Sequence, residues 1–173
     1  MNFLCKEQVK VYIEKHPYHE SINKKILEES LYFSYSSGQL NRDGGVSNVK
    51  AKKTEGSRIS SKSIEIIYEW ILNIVNNDYG NWKFVVDNAW VASYNEGEFT
   101  VAHNHRPAAF SFVYFIKCPK GSAPLVLTTS GKRIKAEEGK LVLFPGNMIH
   151  HVPKNKCHGR MVLAGNIFTF SDL

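Results

Sequence analysis

Tyr94-Asn95-Glu96-Gly97-Glu98-Phe99-Thr100-Val101-Ala102-His103-Asn104-His105 is the stretch on which the reading of this chain turns. It lies among short runs of β character, and on an extended strand side chains alternate faces, so His103 and His105 project one way and Asn104 the other. Two imidazoles then aim at one point. A third ligand from a distant strand would complete a facial set with open coordination positions, the arrangement that lets iron(II) hold a chelating co-substrate and oxygen together. His150-His151 supplies the candidates, and only one of the two can face the metal because adjacent strand residues point oppositely. Arg160 follows as a candidate anion clamp, since a guanidinium offers a carboxylate a planar fork and keeps its proton when buried. The pattern points to a metal-dependent enzyme.

Outward from this stretch the chain has two textures. Upstream, Ile64, Ile67, Tyr68, Ile71, Leu72 and Val75 recur at helical spacing as one apolar stripe, with Ser61 or Ser63 placed to cap it. Ile22, Ile26, Leu27 and Leu31 predict an earlier helix closed by turn chemistry at Gly38, and the alternation of Val9-Lys10-Val11-Tyr12-Ile13-Glu14 predicts a half-buried strand before it. Between Gly38 and Ser61 the chain is rich in Gly, Ser, Asn and Lys, which predicts a long surface loop and a candidate lid. Downstream, β-type runs span Trp82 to Tyr94, Phe110 to Lys117, Leu125 to Thr129, Leu141 to Phe144 and Met161 to Phe170. Helices first and strands after predict an α+β fold: a double-stranded β-helix, or cupin-like jelly roll, with the N-terminal helices packed on one sheet. Residues 1–173 read as a single domain.

The ordered set of motifs resembles the iron(II)/2-oxoglutarate-dependent oxygenase superfamily, and within it a small branch that writes H-x-H where most members write H-x-D. Tyr94 to His105 looks like the segment carrying the first two ligands. Phe110 to Ile116 looks like the strand that follows it, and Gly139 to Val152 like the Gly-x-Leu-Val-x-Phe-Pro segment ending in the distal histidine. Arg160 to Asn166 looks like the closing strand, which opens on the arginine that binds 2-oxoglutarate. Ser47-Asn48 matches a pair found near the N-terminus of that branch. The resemblance implies His103, His105 and His150 as metal ligands, Arg160 as the 2-oxoglutarate clamp, and Tyr94, Ser111 and Asn166 as further cofactor-pocket residues. It also implies iron(II), 2-oxoglutarate and O2 as the reacting partners, with hydroxylation of a substrate carbon as the outcome. The chain departs from the pattern at Phe115, where the family commonly has a co-substrate-binding Tyr, and at Phe112, where the branch usually has Gly. Phe112 then either narrows the barrel or fills a space on its outer face. Two other readings stay open: a three-His cupin-type metalloenzyme acting without 2-oxoglutarate, and a non-catalytic jelly-roll binding module.

Composition narrows the setting. With 22 Lys+Arg against 16 Asp+Glu the net charge is +6, and Lys50, Lys52, Lys53 and Arg58 form the densest basic run. That excess tilts the primary substrate slightly toward a macromolecule, protein or nucleic acid, with a free amino acid the other class. Three cysteines, Cys5, Cys118 and Cys157, lack paired spacing and predict a reducing compartment, by default the cytoplasm. Neither an export signal nor a membrane span is expected. His16, His19 and His158 have no strand-paired partner and are expected at the surface.

Overall fold

A computed structural model describes residues 8–36 and 47–170 of the chain. In chain order these residues form β1 (Tyr12–Lys15), α1 (His19–Glu29), a 3-10 turn (Ser30–Tyr32), β2 (Tyr35–Ser36), β3 (Val49–Lys50), β4 (Lys52–Thr54) and α2 (Lys62–Asp78). There follow β5 (Lys83–Tyr94), β6 (Phe99–His103), β7 (Phe110–Lys117), β8 (Leu125–Leu127), β9 (Lys132–Ile134), β10 (Lys140–Pro145), β11 (His150–Val152) and β12 (Arg160–Phe170).

α2 forms where its apolar stripe predicts. Ile64, Ile67, Tyr68, Ile71 and Val75 are all buried, and Ser61 caps the helix by accepting the Ile64 N–H at 3.4 Å. α1 buries Ile22 and Ile26, and between them Asn23, whose amide donates to the Ile116 carbonyl at 2.8 Å and accepts from the Tyr114 hydroxyl at 2.8 Å. That satisfied polar pair pins the helix to β7. The helix stops at Glu29, so Leu31, expected on its buried stripe, falls in the 3-10 turn and is 80% exposed; Phe33 packs on the core instead. Gly38 lies outside the described residues.

All strand pairs between named strands are antiparallel, in a seven-stranded sheet ordered β1-β10-β7-β12-β5-β4-β2 and a five-stranded sheet ordered β3-β6-β11-β8-β9. The larger sheet is covered on both faces at its interior strand β7, which is therefore apolar almost throughout rather than alternating. Phe112, Tyr114 and Ile116 face the helices with Leu141, Leu143 and Leu163, whereas Val113 and Phe115 face the smaller sheet with Val142, Phe144 and Val162. This is the expected jelly roll with its helices on one sheet.

Three local expectations are corrected. β1 starts only at Tyr12, which is buried in the helix-side core, while Val9 and Ile13 are 55% and 47% exposed and Val11 packs partly buried on the smaller-sheet core. As an edge strand paired only with β10, it leaves its other face along an open groove lined by Leu127, Ile134 and Met148. The stretch expected as one long loop contains β3 and β4, paired to β6 and β5, with Val49, Ala51 and Thr54 buried. Tertiary pairing overrides weak local propensity there. Residues 37–46, which include the first part of the candidate lid, lie outside the described residues. His16 is not at the surface: it is 6% exposed and packs edge-on against Trp70 at 4.8 Å, accepting the Tyr18 N–H at 3.2 Å. His158 is exposed, as expected.

Phe112 fills the outer face of the large sheet, with its ring 6.1 Å from that of Tyr68. Room for it comes from Gly165 on the neighbouring strand, where an added Cβ would lie 2.7 Å from both the Phe112 ring edge and the Asn88 carbonyl oxygen. Backbone cannot retreat as a flexible side chain can. Gly165→Ala is therefore expected to destabilise the fold by about 1–3 kcal/mol through overpacking. A lower urea midpoint with an unchanged slope would show it.

Candidate metal centre and anion clamp

His103 closes β6 and His150 opens β11, and the two are direct cross-strand partners. Each ring is held by the backbone two residues before it: His103 Nδ1 lies 2.7 Å from the Val101 carbonyl and His150 Nδ1 lies 3.0 Å from that of Met148. With Nδ1–H donated to those carbonyls, both Nε2 lone pairs are left free. His105 arrives differently from the expectation of a shared strand face, because β6 ends at His103 and His105 sits in the turn beyond it. Its N–H donates to the Gly146 carbonyl at 2.7 Å, and its own carbonyl accepts the Ala108 N–H at 2.8 Å. The turn, not the pleat, brings the imidazole back.

The result is a group in which one ligand atom from each of His103, His105 and His150 lies within 4.8 Å of the others. The Nε2 atoms of His103 and His105 are 3.1 Å apart. Two nitrogens bound at ~2.1 Å to one ion at a right angle stand about 3 Å apart, so this spacing suits adjacent positions of an octahedral centre. Burial holds all three imidazoles below the usual histidine range, His105 to about 3 and His150 to about 4, with the neighbouring rings lowering both further. They are neutral at pH 7, the form that ligates metal. His151 faces away from the group, its Nδ1 2.8 Å from the Thr128 hydroxyl.

Arg160 is fully buried at the start of β12. Nε donates to the Ala123 carbonyl at 3.0 Å, and the guanidinium lies 4.6 Å from the Tyr94 ring centre and 5.4 Å from that of Phe115. Nη1 and Nη2 have no hydrogen-bond partner among the described residues. Burial opposes the charge of this group, and a guanidinium sealed away with its fork unpaired is a costly arrangement that an entering carboxylate would relieve. Arg160 and the three histidines line one internal cavity, together with Val113, Phe144 and Val162. A neutral imidazole set at one place in it and an orphaned fork at another fit a divalent metal and a dianionic co-substrate.

The other expected pocket residues divide between these two ends. Tyr94 lies beside Arg160, but its hydroxyl pairs with Thr100 at 2.7 Å. Ser111 and Asn166 lie at the histidine end: the Ser111 hydroxyl donates to Asn166 Oδ1 at 2.7 Å, Asn166 Nδ2 donates to Asn88 Oδ1 at 2.6 Å, and Nδ2 stands 3.3 Å from His105 Nδ1. Asn166 Nδ2 thus stands between Asn88 Oδ1 and His105 Nδ1 and ties the His105 ring to a Ser111–Asn166–Asn88 chain. Asn88 and Trp90 were missed from the sequence, although they share a face with Ala92 and Tyr94 on a regular strand, and reading that alternation backward from Tyr94 finds them.

Replacing His105 by Asp puts a carboxylate in place of the third imidazole. His105→Asp is expected to keep iron bound, since the turn backbone rather than the imidazole positions the residue. Metal content of the folded variant checks this.

No protein-family model matches the chain, and no curated protein is similar to it in sequence. Solved structures do match in fold. A viral collagen prolyl hydroxylase from Paramecium Bursaria Chlorella virus-1, in its 2-oxoglutarate complex, superposes with a TM-score of 0.69 at 14% identity, over 90% of this chain and 95% of that one. A prolyl hydroxylase from Trichoplax adhaerens, in complex with a hypoxia inducible factor peptide fragment, gives 0.69 at 15% identity over 90% and 82%. HygX from Streptomyces hygroscopicus, with nickel and 2-oxoglutarate bound, gives 0.69 at 7% identity over 92% and 83%. The chain thus shares its fold with these structures, two of which hold 2-oxoglutarate.

Proposed function

We propose that this chain is an iron(II)- and 2-oxoglutarate-dependent oxygenase that hydroxylates a substrate carbon. The observation that carries the reading is the pairing of a converging, neutral His103–His105–His150 group with the unpartnered, fully buried Arg160 fork in one cavity. His103, His105 and His150 would hold iron(II), and Arg160 would hold the distal carboxylate of 2-oxoglutarate. When bound, the two supply an oxygen-derived oxidant strong enough for a C–H bond, with succinate and CO2 as co-products. The chain's own contribution is positional: backbone carbonyls orient the imidazoles, and Val113, Phe144 and Val162 line a largely apolar cavity around the charges. A three-imidazole set carries one negative charge fewer than a set containing a carboxylate, which favours retention of an anionic co-substrate.

We further propose a macromolecular substrate, because one of the structures sharing the fold holds a peptide fragment. Cys118 and Cys157 are free, in keeping with a cytoplasmic, reducing location. Among the described residues no helix is long and apolar enough to cross a membrane. The test is anaerobic purification, metal analysis, and iron-dependent conversion of 2-oxoglutarate to succinate on admission of oxygen. Retained metal without succinate would favour the three-His metalloenzyme without 2-oxoglutarate, with Arg160 binding the substrate's own carboxylate.

A further inference from the structure

Outside the histidines the cavity widens into an open mouth of about 770 Å³, lined by His103, His105, Trp90, Lys53, Asn88 and Asn48 among others. A primary substrate reaches the metal side through this mouth, and one charge in its wall has no role in holding metal or co-substrate. Lys53, on β4, is half-buried, and its Nζ lies 4.4 Å above the Trp90 ring. The Trp90 ring in turn lies 5.9 Å from that of His105. No carboxylate pairs with Lys53 and no acceptor takes a hydrogen bond from its Nζ among the described residues. Packing on the indole strips water from the ammonium and lowers its pKa, so an anion that restores its charge balance is favoured there.

The nature of that anion follows from the neighbours. The basic run of the sequence does not form a stripe for a polyanion: Arg58 is already held by both carboxylate oxygens of Glu65, at 2.9 and 2.8 Å, while Lys52 is exposed and lies outside the mouth lining. Glu55 stands in the same wall as Lys53 and repels a second negative charge. A single carboxylate suits one cation beside one acid, whereas a nucleic-acid backbone does not. The rest of the wall offers hydroxyls and amides, from Ser36, Asn48, Ser57 and Asn88, of the kind that hydrogen-bond a peptide main chain.

We infer that the primary substrate is an acidic peptide, one side-chain carboxylate of which binds Lys53 above Trp90 while the adjacent residue reaches the histidines. This rests on the oxygenase reading of the same site. Two pools of N-acetylated, C-amidated octapeptides test it, identical in random composition except for a fixed central Glu or Gln. Retention by the iron(II)- and 2-oxoglutarate-loaded protein under nitrogen is measured by equilibrium dialysis and mass spectrometry. The Glu pool is expected to be retained about tenfold better, the factor a charge-assisted contact supplies. Lys53→Met is expected to abolish the preference and Lys53→Arg to restore it. Equal retention of the two pools, no retention of either, or stronger retention of a ten-nucleotide oligothymidine overturns the inference. The charge-transfer absorption of bound 2-oxoglutarate, recorded on the same samples, separates the two claims. Its presence with no Glu preference removes the acidic peptide alone, and its absence with a Glu preference removes the oxygenase reading alone.

Discussion

Arg160→Lys is expected to weaken 2-oxoglutarate binding by about 1.5–3 kcal/mol while leaving iron(II) bound, the range for a hydrogen bond to a charged group. Lysine keeps the charge but loses the planar fork, and among the described residues the fork is the part of Arg160 left unused: Nε is spent on Ala123, while Nη1 and Nη2 have no partner. Arg160→Ala goes further, because a co-substrate carboxylate would then enter a largely apolar pocket with no counter-charge, and turnover should fall below detection. Titrating 2-oxoglutarate into the anaerobic iron(II) protein and following the metal-to-ligand charge-transfer absorption reads the affinity directly. An unchanged band in Arg160→Ala would move the clamp to another residue without touching the metal assignment.

The second large effect is on the metal itself. Either His103→Ala or His150→Ala is expected to leave two ligands and to cost the protein its iron, whereas His151→Ala should bind iron almost as the wild type does. Adjacent residues of β11 face opposite ways, and His151 is turned to Thr128. Metal content after anaerobic purification, with circular dichroism to confirm folding, decides it. Loss of iron in His151→Ala with retention in His150→Ala would shift the register of β11 by one residue.

Much of this architecture was legible in advance because its signals are local. The α2 stripe and the run Phe110 to Lys117 name their elements outright, since burial on one face or on both leaves a period or an unbroken apolar run in the sequence. What was hidden depends on partners far along the chain. Lys52 and Lys53 read as loop because nothing in their composition announces pairing with Ala92 and Ser93. Around β1 the apolar count favours Val9, Val11 and Ile13, and only the packed helices decide that Tyr12 is the residue fully buried. At the site, the residues were nameable but the reason for their meeting was not. His103 and His105 converge through a turn anchored on Gly146, a contact across 41 positions that no strand period encodes.

That anchoring divides the candidate centre into two mechanically distinct parts. His103 and His150 are fixed to each other by strand register, so a slip of one residue in either strand would turn its ligand away. His105 hangs instead from main-chain hydrogen bonds of a turn, which do not depend on the identity of its side chain. Position 105 is thus the one place where evolution, or a designer, can exchange donor chemistry and retune charge and metal preference without re-threading a sheet.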